Sequence, residues 1–417
     1  MKVAVLGSGV VGVATAWWLK QDGHEVVVVD RHTGPAREAS RAPGGLLSAA
    51  YGEPWATRDA PQQLLKSLFD DNAPIGFRLR ARRGQWVWAA QYLRECWPGR
   101  LEHNVRPLVQ LSAYSLALLR QLRSQLGIDD AAQQGGILNI YRNAADLERS
   151  QNLAQVLRNL GVDRRIVGVD EMLELEPALA PVRRRLVGGD FTANDESGDA
   201  WRFTTALADH AQQAGVQFLY SQLVTRLVAH EGRIAGAELL GPDGLYHMLQ
   251  ADAFVVALGA YTPCLLGPLG IPCHVWPVKG YSLNFPLIEP DRAPKISLTD
   301  YSHKVVYSRL GDQLRMSGRV RLDGYSRALD PACKAAMVAQ ARQLLPSVLD
   351  FENASFWSGL RPSTPSGIPL VGRSRIANLF LNTGHGSSGW TLAAGSGRAL
   401  ADIVSGRIPE PEFPFLG

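Results

Sequence analysis

Short apolar runs alternate with polar and glycine-rich breaks from Lys2 to Asp30. Lys2–Leu6 and Val26–Val29 are runs rich in valine, as expected of parallel strands that are buried on both faces. Val13–Lys20 lies between them and has the pattern of a helix. The order strand, helix, strand predicts a βαβ unit at the start of the chain.

The turn between the first strand and the helix has the spacing G-x-G-x-x-G. In such a turn Gly7 makes the sharp bend, Gly9 lets a pyrophosphate approach the backbone, and Gly12 lets the helix pack on the strand. The phosphates bind at the helix N-terminus, where free N–H groups favour negative charge. Asp30 ends the second strand, where a carboxylate accepts hydrogen bonds from a ribose. The alternative is an ordinary βαβ unit with packing glycines, but the glycines and the acid together favour an ADP-containing dinucleotide.

The middle of the chain predicts further helices and strands. Helical periodicity occurs at 108–126, 145–160, 169–175, 202–214 and 333–345. Strand patterns occur at 135–141, 186–192, 217–220, 223–230, 233–240 and 253–261, and residues 274–320 alternate as in an antiparallel sheet. This mixture predicts an α+β second domain.

The end of the chain repeats the pattern of its start. Leu379–Asn382 predicts a strand, and the glycine-rich Gly384–Trp390 opens a helix that continues to about Val404. We therefore predict an α/β fold, with a dinucleotide-binding domain of residues 1–50, 198–270 and 355–417 and a substrate domain of residues 51–197 and 271–354. A dinucleotide-binding domain whose first and last parts come from the two ends of the chain favours an enclosed cofactor such as FAD. The positive end of the last helix would suit the negative charge of a reduced flavin.

Composition narrows the function classes. With 417 residues, of which 46% are hydrophobic and 20% charged, the chain is an ordinary globular protein long enough for two domains. A net charge of +4 is too small to indicate a nucleic-acid partner. Cys96, Cys264, Cys273 and Cys333 have neither CxxC nor metal-ligand spacing, so we expect no metal and a reduced, cytoplasmic protein. The apolar N-terminus resembles a signal peptide, but the motif glycines that interrupt it argue against one.

One basic and aromatic stretch suggests contact with a membrane. Trp86, Ala90, Leu93 and Trp97 fall on one face of a predicted helix, and four arginines within Arg78–Arg83 precede it. No stretch is long and apolar enough to span a bilayer. The protein would then lie peripherally on the cytoplasmic face of the inner membrane. The alternative, which we prefer at this point, is that the tryptophans belong to the core of the substrate domain.

Four motifs lie along the chain: Val5–Val13 (VLGSGVVGV), Pro277–Ser282 (PVKGYS), Arg361–Pro365 (RPSTP) and Asn382–Thr391 (NTGHGSSGWT). Together they closely resemble the bacterial D-amino acid dehydrogenase family, a branch of the D-amino acid oxidase and glycine oxidase superfamily of flavoproteins. The resemblance covers nearly the whole chain, and the last motif is the most specific. It implies a glutathione-reductase-like Rossmann domain, an inserted mixed-sheet substrate domain, and FAD bound without a covalent link.

The motifs and the resemblance together indicate the residues that contact FAD. Arg31 would lie on the adenosine side, Ser40 and Arg41 at the pyrophosphate or ribityl chain, and Val224 over the adenine. The complete predicted set is Gly7, Gly9, Val10, Val11, Gly12, Asp30, Arg31, Ser40, Arg41, Gly44, Gly45, Val224, Ala257, Gly259, Arg361, Gly386, Ser387, Ser388, Gly389, Trp390 and Thr391.

Two places depart from the family pattern. Ala42–Gly45 is Ala-Pro-Gly-Gly where members commonly carry Ala-Asn-Ala-Gly near the flavin. The strand around Gly318 carries Arg319 and Arg321 where small or acidic residues are commoner. Because both places could line the substrate pocket, they concern the identity of the substrate rather than the flavin chemistry.

Oxidation of an amino acid at a flavin needs a carboxylate anchor more than a strong base, because the substrate reacts with a neutral amine. Arg361, in a proline-flanked loop, is the first choice, since a guanidinium matches a carboxylate bidentately. By resemblance Tyr281 adds a phenolic hydrogen bond, and Tyr307 and Tyr51 are further candidates. The alternatives are a structural loop arginine and tyrosines that belong to the core.

The expected function is the FAD-dependent oxidative deamination of D-amino acids. Hydride passes from Cα to flavin N5, the imine hydrolyses to a 2-oxo acid and ammonia, and the electrons pass to a quinone or another carrier. Glycine, sarcosine or a D-hydroxyproline-like imino acid could replace the primary amine, and O₂ could replace the carrier. A non-catalytic flavin sensor and an NAD-linked dehydrogenase are more distant alternatives.

Overall fold

Two large sheets and the helices packed on them make up the described part of the chain. The structure is a computed structural model that describes residues 1–50, 56, 60–61, 75–77, 83–97 and 99–417. Its α-helices in these ranges are α1 (Val10–Gln21), α2 (Arg83–Glu95), α3 (Arg100–Leu126), α4 (Ala144–Asn159), α5 (Val169–Leu175), α6 (Ala200–Gln213), α7 (Thr262–Leu266), α8 (Pro331–Leu344) and α9 (Gly389–Val404). The strands are β1 (Lys2–Leu6), β2 (Glu25–Val29), β3 (Leu46–Leu47), β4 (Ile75–Phe77), β5 (Ile137–Tyr141), β6 (Arg164–Val167), β7 (Gly188–Thr192), β8 (Glu196–Ser197), β9 (Gln217–Leu219), β10 (Leu223–His230), β11 (Arg233–Leu240), β12 (Tyr246–Leu249), β13 (Ala253–Val256), β14 (Trp276–Pro286), β15 (Ser297–Asp300), β16 (Val305–Leu310), β17 (Gln313–Leu322), β18 (Ser355–Ser363), β19 (Leu370–Arg373) and β20 (Leu379–Thr383).

The smaller of these sheets has six strands in the order β19-β20-β13-β1-β2-β9. All neighbours are parallel except β19 and β20. Val3 and Val5 pack with the helices on one face, and Ala4 and Leu6 pack with the meander β10–β12 on the other. Both faces are therefore covered, which explains the unbroken apolar runs of β1 and β2.

The larger sheet has nine strands and lies over the carboxyl edge of the smaller one. On the near face, Ser308 donates a hydrogen bond to the Gly44 carbonyl (2.8 Å), and Arg315 pairs with Asp199, the N-cap of α6 (3.0 Å). On the far face, residues such as Phe285 form a core with α8. The near face therefore closes the space above the β1–α1 turn.

Helix α9 packs closely against α1 and α3 at two glycines. A Cβ at Gly395 would lie 2.7 Å from Cβ of Ser115, and a Cβ at Gly397 would lie 2.9 Å from the amide of Thr15. Because the helix backbones approach so closely, the N-terminus of α9 has a fixed position relative to that of α1.

The predicted fold class is confirmed: a mostly parallel sheet with helices on one face is joined to a mixed-sheet second unit. The predicted division into residue ranges remains a prediction, and two elements lie across it. Leu116 and Leu119 of α3 pack in the core of the six-stranded sheet, and β18 pairs within the nine-stranded sheet. Both assignments follow from long-range packing, which the local pattern does not contain.

Candidate active site

The turn from β1 to α1 is a close-packed cradle. Gly7 has φ 109°, and a Cβ there would lie 2.5 Å from the carbonyl oxygen of Ala257, so a larger residue is excluded. A Cβ at Gly12 would overlap the carbonyl oxygen of Gly7. At Gly9, by contrast, the nearest atom to a Cβ is Oγ of Ser40 at 3.4 Å, and the position faces a cavity. The first turn of α1 carries no acidic residue, so this helix end suits an anion.

Asp30 directly follows β2 beside this turn, and its carboxylate keeps capacity for a further hydrogen bond. Its Oδ2 accepts hydrogen bonds from the amide and hydroxyl of Ser8, both at 2.8 Å, and its Oδ1 accepts one from the amide of His32 at 2.9 Å. A carboxylate has about four acceptor sites. The position therefore suits a ribose hydroxyl, as the sequence predicts.

The N-terminus of α9 faces the same cavity from the other side. Its N-cap residue Ser388 makes no side-chain capping bond, and its first turn has no acidic residue. Beside it, burial lowers the pKa of His385 to about 3, and its Nε2 lies 3.1 Å from Oγ of Ser396. The imidazole is therefore neutral, and the helix end supplies the positive electrostatic character here.

One cavity of about 380 Å³ joins the two helix ends to the nine-stranded sheet. A dinucleotide fits its chemistry: two helix N-termini, a carboxylate at a strand end, and a position, Gly9, that a Cβ would fill. The predicted residues that line it are Gly7, Gly9, Val10, Val11, Asp30, Arg31, Ser40, Val224, Ala257, Gly259, Tyr281, Arg361, Gly386, Ser387, Gly389 and Trp390.

Arg361 lies in strand β18 and not in the predicted loop. The prolines that flank it suggested a loop, but β18 is at the edge of the sheet, where proline is tolerated. A Cβ at Gly280 would lie 2.7 Å from Nη2 of Arg361, so the guanidinium rests on that glycine. Burial lowers the pKa of Arg361 to about 10, which leaves it protonated at neutral pH.

Tyr281 lies on the opposite face of the sheet from Arg361. In the antiparallel ladder Val278 pairs with Arg361, and Tyr281 is three residues further along, so its side chain points away. Its ring borders on the far core and stacks on Phe356 with centroids 5.5 Å apart. Lys279 shares that face and pairs with Asp323 at 2.9 Å. The structure therefore does not bring the Tyr281 ring together with the guanidinium.

Tyr307, another predicted site residue, is not part of the cavity lining. Tyr307 is buried in the far core of the nine-stranded sheet, where burial raises the pKa of its hydroxyl. Its strand was predicted, but not which face its ring would occupy. Tyr51 falls outside the described residues.

Six predicted FAD contacts lie beside the cavity and not in its lining: Gly12, Arg41, Gly44, Gly45, Ser388 and Thr391. The guanidinium of Arg41 lies 3.9 Å from the ring centroid of Trp201, and Thr391 donates to the Leu46 carbonyl at 3.5 Å. Gly44 packs against Ser317, whose Cβ would be 3.4 Å from a Cβ at that position. These residues support the walls, and direct contact with FAD remains a prediction for them.

Sequence reasoning missed several residues of the lining. Gly280, Ser317 and Trp357 border the cavity at the nine-stranded sheet, and Glu38 borders it nearer the cradle. Gly280 lies inside a quoted motif and was the best available signal. The role of Trp357 depends on the β14–β18 register, and no local pattern indicates it.

The outer face of α2 is exposed. The exposed fractions of Trp86, Leu93 and Trp97 are 52%, 49% and 70%, whereas Trp88 and Tyr92 on the inner face are buried. The preferred interpretation of the outer tryptophans as core residues is therefore wrong, because α2 turns only its inner face to Trp276 and its neighbours. Among the residues described, no helix is long and apolar enough to cross a membrane.

The chain belongs to the DAO family of FAD-dependent oxidoreductases, whose family model matches residues 2–403. Its relatives include a protein named D-amino acid dehydrogenase from Dechloromonas aromatica (strain RCB), 45% identical over 416 residues and 100% of both chains. Another of that name from Paramagnetospirillum magneticum is 42% identical over 418 residues, 100% of this chain and 98% of the relative. The resemblance inferred from the four motifs is thereby confirmed.

Solved structures show the same fold at lower identity. Glycine oxidase from Geobacillus kaustophilus superposes with a TM-score of 0.76 at 22% identity, over 98% of this chain and 96% of the other. L-proline dehydrogenase from P. horikoshii superposes with a TM-score of 0.73 at 16% identity, over 97% and 94% of the two chains.

Proposed function

We propose that the protein catalyses the FAD-dependent oxidative deamination of D-amino acids and passes the electrons to a quinone or another carrier. The observation that carries this proposal is a cavity that runs from a dinucleotide cradle to the partly buried guanidinium of Arg361. The names of the relatives at 42–45% identity support the substrate class.

The residues of the chain would bind and orient the two molecules. The N-terminus of α1 and Asp30 would hold the ADP part of FAD, and the N-terminus of α9 would face the flavin. Arg361 would bind the substrate carboxylate bidentately. When bound, FAD supplies the acceptor for the hydride that leaves Cα, and the imine then hydrolyses in water to a 2-oxo acid and ammonia.

The described residues provide no evident general base for the amine. Of the carboxylates in the lining, Asp30 accepts from Ser8 and His32, and Glu38 pairs with Arg31 and Arg327. His385 is buried, and its pKa is lowered to about 3. We therefore infer that the substrate binds with a neutral amine, which the positive charge of Arg361 favours over an ammonium group.

The decisive experiment is anaerobic bleaching of the bound flavin by D- and L-amino acids and by imino acids. D-amino acids should bleach it, and L-amino acids should not. Glycine, sarcosine or a D-hydroxyproline-like compound as the best reductant would favour the alternative substrates. Peroxide released in step with turnover in air would instead indicate an oxidase. If none of these compounds bleaches the flavin, the proposal fails.

We also propose that the outer face of α2 contacts the membrane, where a quinone acceptor dissolves. Exposed tryptophans suit the bilayer interface, and the sequence before them is rich in arginine. The inner face of α2 reaches the site, because Nε1 of Trp88 donates to the carbonyl of Ser363 (2.8 Å), two residues beyond Arg361. A reduced flavin and a membrane acceptor would then lie on either side of one helix.

Vesicle flotation tests this contact. The wild type should float with vesicles of phosphatidylcholine and phosphatidylglycerol, and the double variant Trp86→Ser/Trp97→Ser should float several-fold less. The matched control is Leu245→Ser/Tyr246→Ser, which removes equally exposed apolar side chains from the meander. A wild type that stays in solution, or equal loss in both variants, would exclude α2 as the contact.

A further inference from the structure

Two glycines leave a bare strip on the face of the nine-stranded sheet that borders the cavity. Gly280 of β14 and Gly359 of β18 lie directly opposite each other in the antiparallel ladder. Trp357 and Arg361 lie two residues to either side of Gly359. Because side chains alternate along a strand, both project from the face on which the glycines are bare.

Both large side chains bend over this strip. A Cβ at Gly359 would lie 2.5 Å from Cζ3 of Trp357, and a Cβ at Gly280 would lie 2.7 Å from Nη2 of Arg361. Directly opposed Cβ positions in an antiparallel pair are about 4.5–5.5 Å apart. The indole and the guanidinium are therefore neighbours, and both line the cavity.

The indole is held in place by a segment outside the strand. Cζ of Arg327 lies 5.9 Å from the ring centroid, and the guanidinium is itself bound by Glu38 (3.1 Å). The carbonyl of Arg327 accepts a hydrogen bond from Ser358 at 2.7 Å. With one region covered by a cation, the ring presents its remaining surface to the cavity in a fixed orientation.

We propose that Trp357 is the wall against which the substrate side chain packs and that it selects apolar side chains, planar ones above all. The inference rests on the proposed function, with the substrate carboxylate on Arg361. A cationic side chain would be repelled by that guanidinium, and an anionic one would lose its water against the indole. An apolar or aromatic side chain has no charge to be repelled and no hydrogen bonds to water to lose. It gains contact with the ring.

The test is the rate of anaerobic flavin bleaching by D-phenylalanine and by D-alanine, whose methyl group makes little contact with the wall. In Trp357→Ala the second-order rate constant of bleaching by D-phenylalanine, divided by that for D-alanine, should fall about tenfold, as expected for the loss of an aromatic pair. Trp357→Phe should keep most of the ratio. Tyr246→Ala, which removes an exposed aromatic residue of the meander, is the control and should leave the ratio unchanged.

Further measurements separate the proposal from its alternatives. Flavin content and near-UV circular dichroism establish that each variant is folded. If Trp357→Ala does not fold, Gly359→Ala replaces it, because the added Cβ displaces the indole and should lower the same ratio.

An unchanged ratio in a folded variant overturns the proposal. A wild type that no D-amino acid bleaches overturns the proposed function instead, and a wild type that prefers D-glutamate or D-lysine to D-phenylalanine overturns the selectivity alone.

Discussion

At the scale of single residues, the site depends on the absence of a side chain at Gly280 as much as on the guanidinium of Arg361. The guanidinium of Arg361 lies on β14 because position 280 has no side chain. It keeps its charge although it is partly buried, since a pKa of about 10 is still well above neutral pH. A partly buried, protonated guanidinium at the end of a cavity attracts an anion more strongly than an exposed one does, because less water screens it.

Removal of that charge should weaken substrate binding and spare the cofactor. Arg361→Ala loses two charge-assisted hydrogen bonds, each worth about 1.5–3 kcal/mol, so KM should rise by roughly a hundredfold or more. Steady-state rates with an artificial electron acceptor measure KM, and the visible absorbance measures bound flavin. Arg309→Ala, which removes a half-exposed arginine of β16, is the control. An unchanged KM would refute the role of Arg361 as anchor.

At the scale of elements, the βαβ unit and α9 bring two helix N-termini to one cavity. Gly12 lets α1 approach β1, and Gly395 and Gly397 let α9 approach its neighbours. These contacts are between backbones, which cannot move aside as a flexible side chain can. The position of each helix end is therefore fixed by glycines, within the first turn of α1 and about two turns into α9.

Gly12→Ala should disturb the packing of the cradle. Its Cβ would overlap the Gly7 carbonyl, and overpacking of this kind costs about 1–3 kcal/mol in the free energy of unfolding. The midpoint temperature of thermal unfolding and the ratio of bound flavin to protein should both fall. In Gly267→Ala the new methyl group meets open space, so neither quantity should change. A Gly12→Ala protein with wild-type stability and flavin content would contradict the packing role.

At the scale of the whole molecule, the cavity lies between the two large sheets, and two buried titratable groups make the stability of the fold depend on pH. Burial lowers the pKa of His385 to about 3, below the ordinary value of 6.5. Burial also raises the pKa of Asp195 to about 7, despite the hydrogen bond from Ser48. Both groups are therefore neutral in the folded protein over part of the mildly acidic range.

The two groups should affect stability in opposite directions. The unfolded chain protonates His385 below about pH 6.5 while the folded protein does not, so its contribution to stability is lost as the pH falls from 6.5 toward 3. Asp195 acts the other way, because the folded state holds the extra proton between about 3.8 and 7 and stability falls as the pH rises through that window.

His385→Gln should isolate the first of these effects. The free energy of unfolding of the wild type should fall more steeply between pH 6.5 and 4 than that of the variant, by up to about 1.4 kcal/mol per pH unit. Denaturant titrations at each pH measure the difference. Parallel curves for the two proteins would show that His385 is protonated in the folded state as easily as in the unfolded state.

Much of the fold could be predicted from local pattern. β1, β2 and the meander β10–β11 were predicted within a residue or two of their observed bounds, because buried strands and turns have strong local signals. The boundaries of the two units were harder to predict. The residues of α3 that join the first core are apolar at helical spacing, and that spacing does not say which sheet they will cover.

The sequence by itself determined the cofactor class and the family, because the glycines at Gly7–Gly12 and Gly384–Gly389 are needed wherever a backbone approaches a phosphate or another backbone. The tertiary structure alone decided which side chains meet. Arg361 and Tyr281 belong to neighbouring motifs but project from opposite faces, since the register of β14 and β18 separates them. The same register places Trp357 beside Arg361. Strand register is set by contacts across the whole sheet, and a single residue of slip reverses every face.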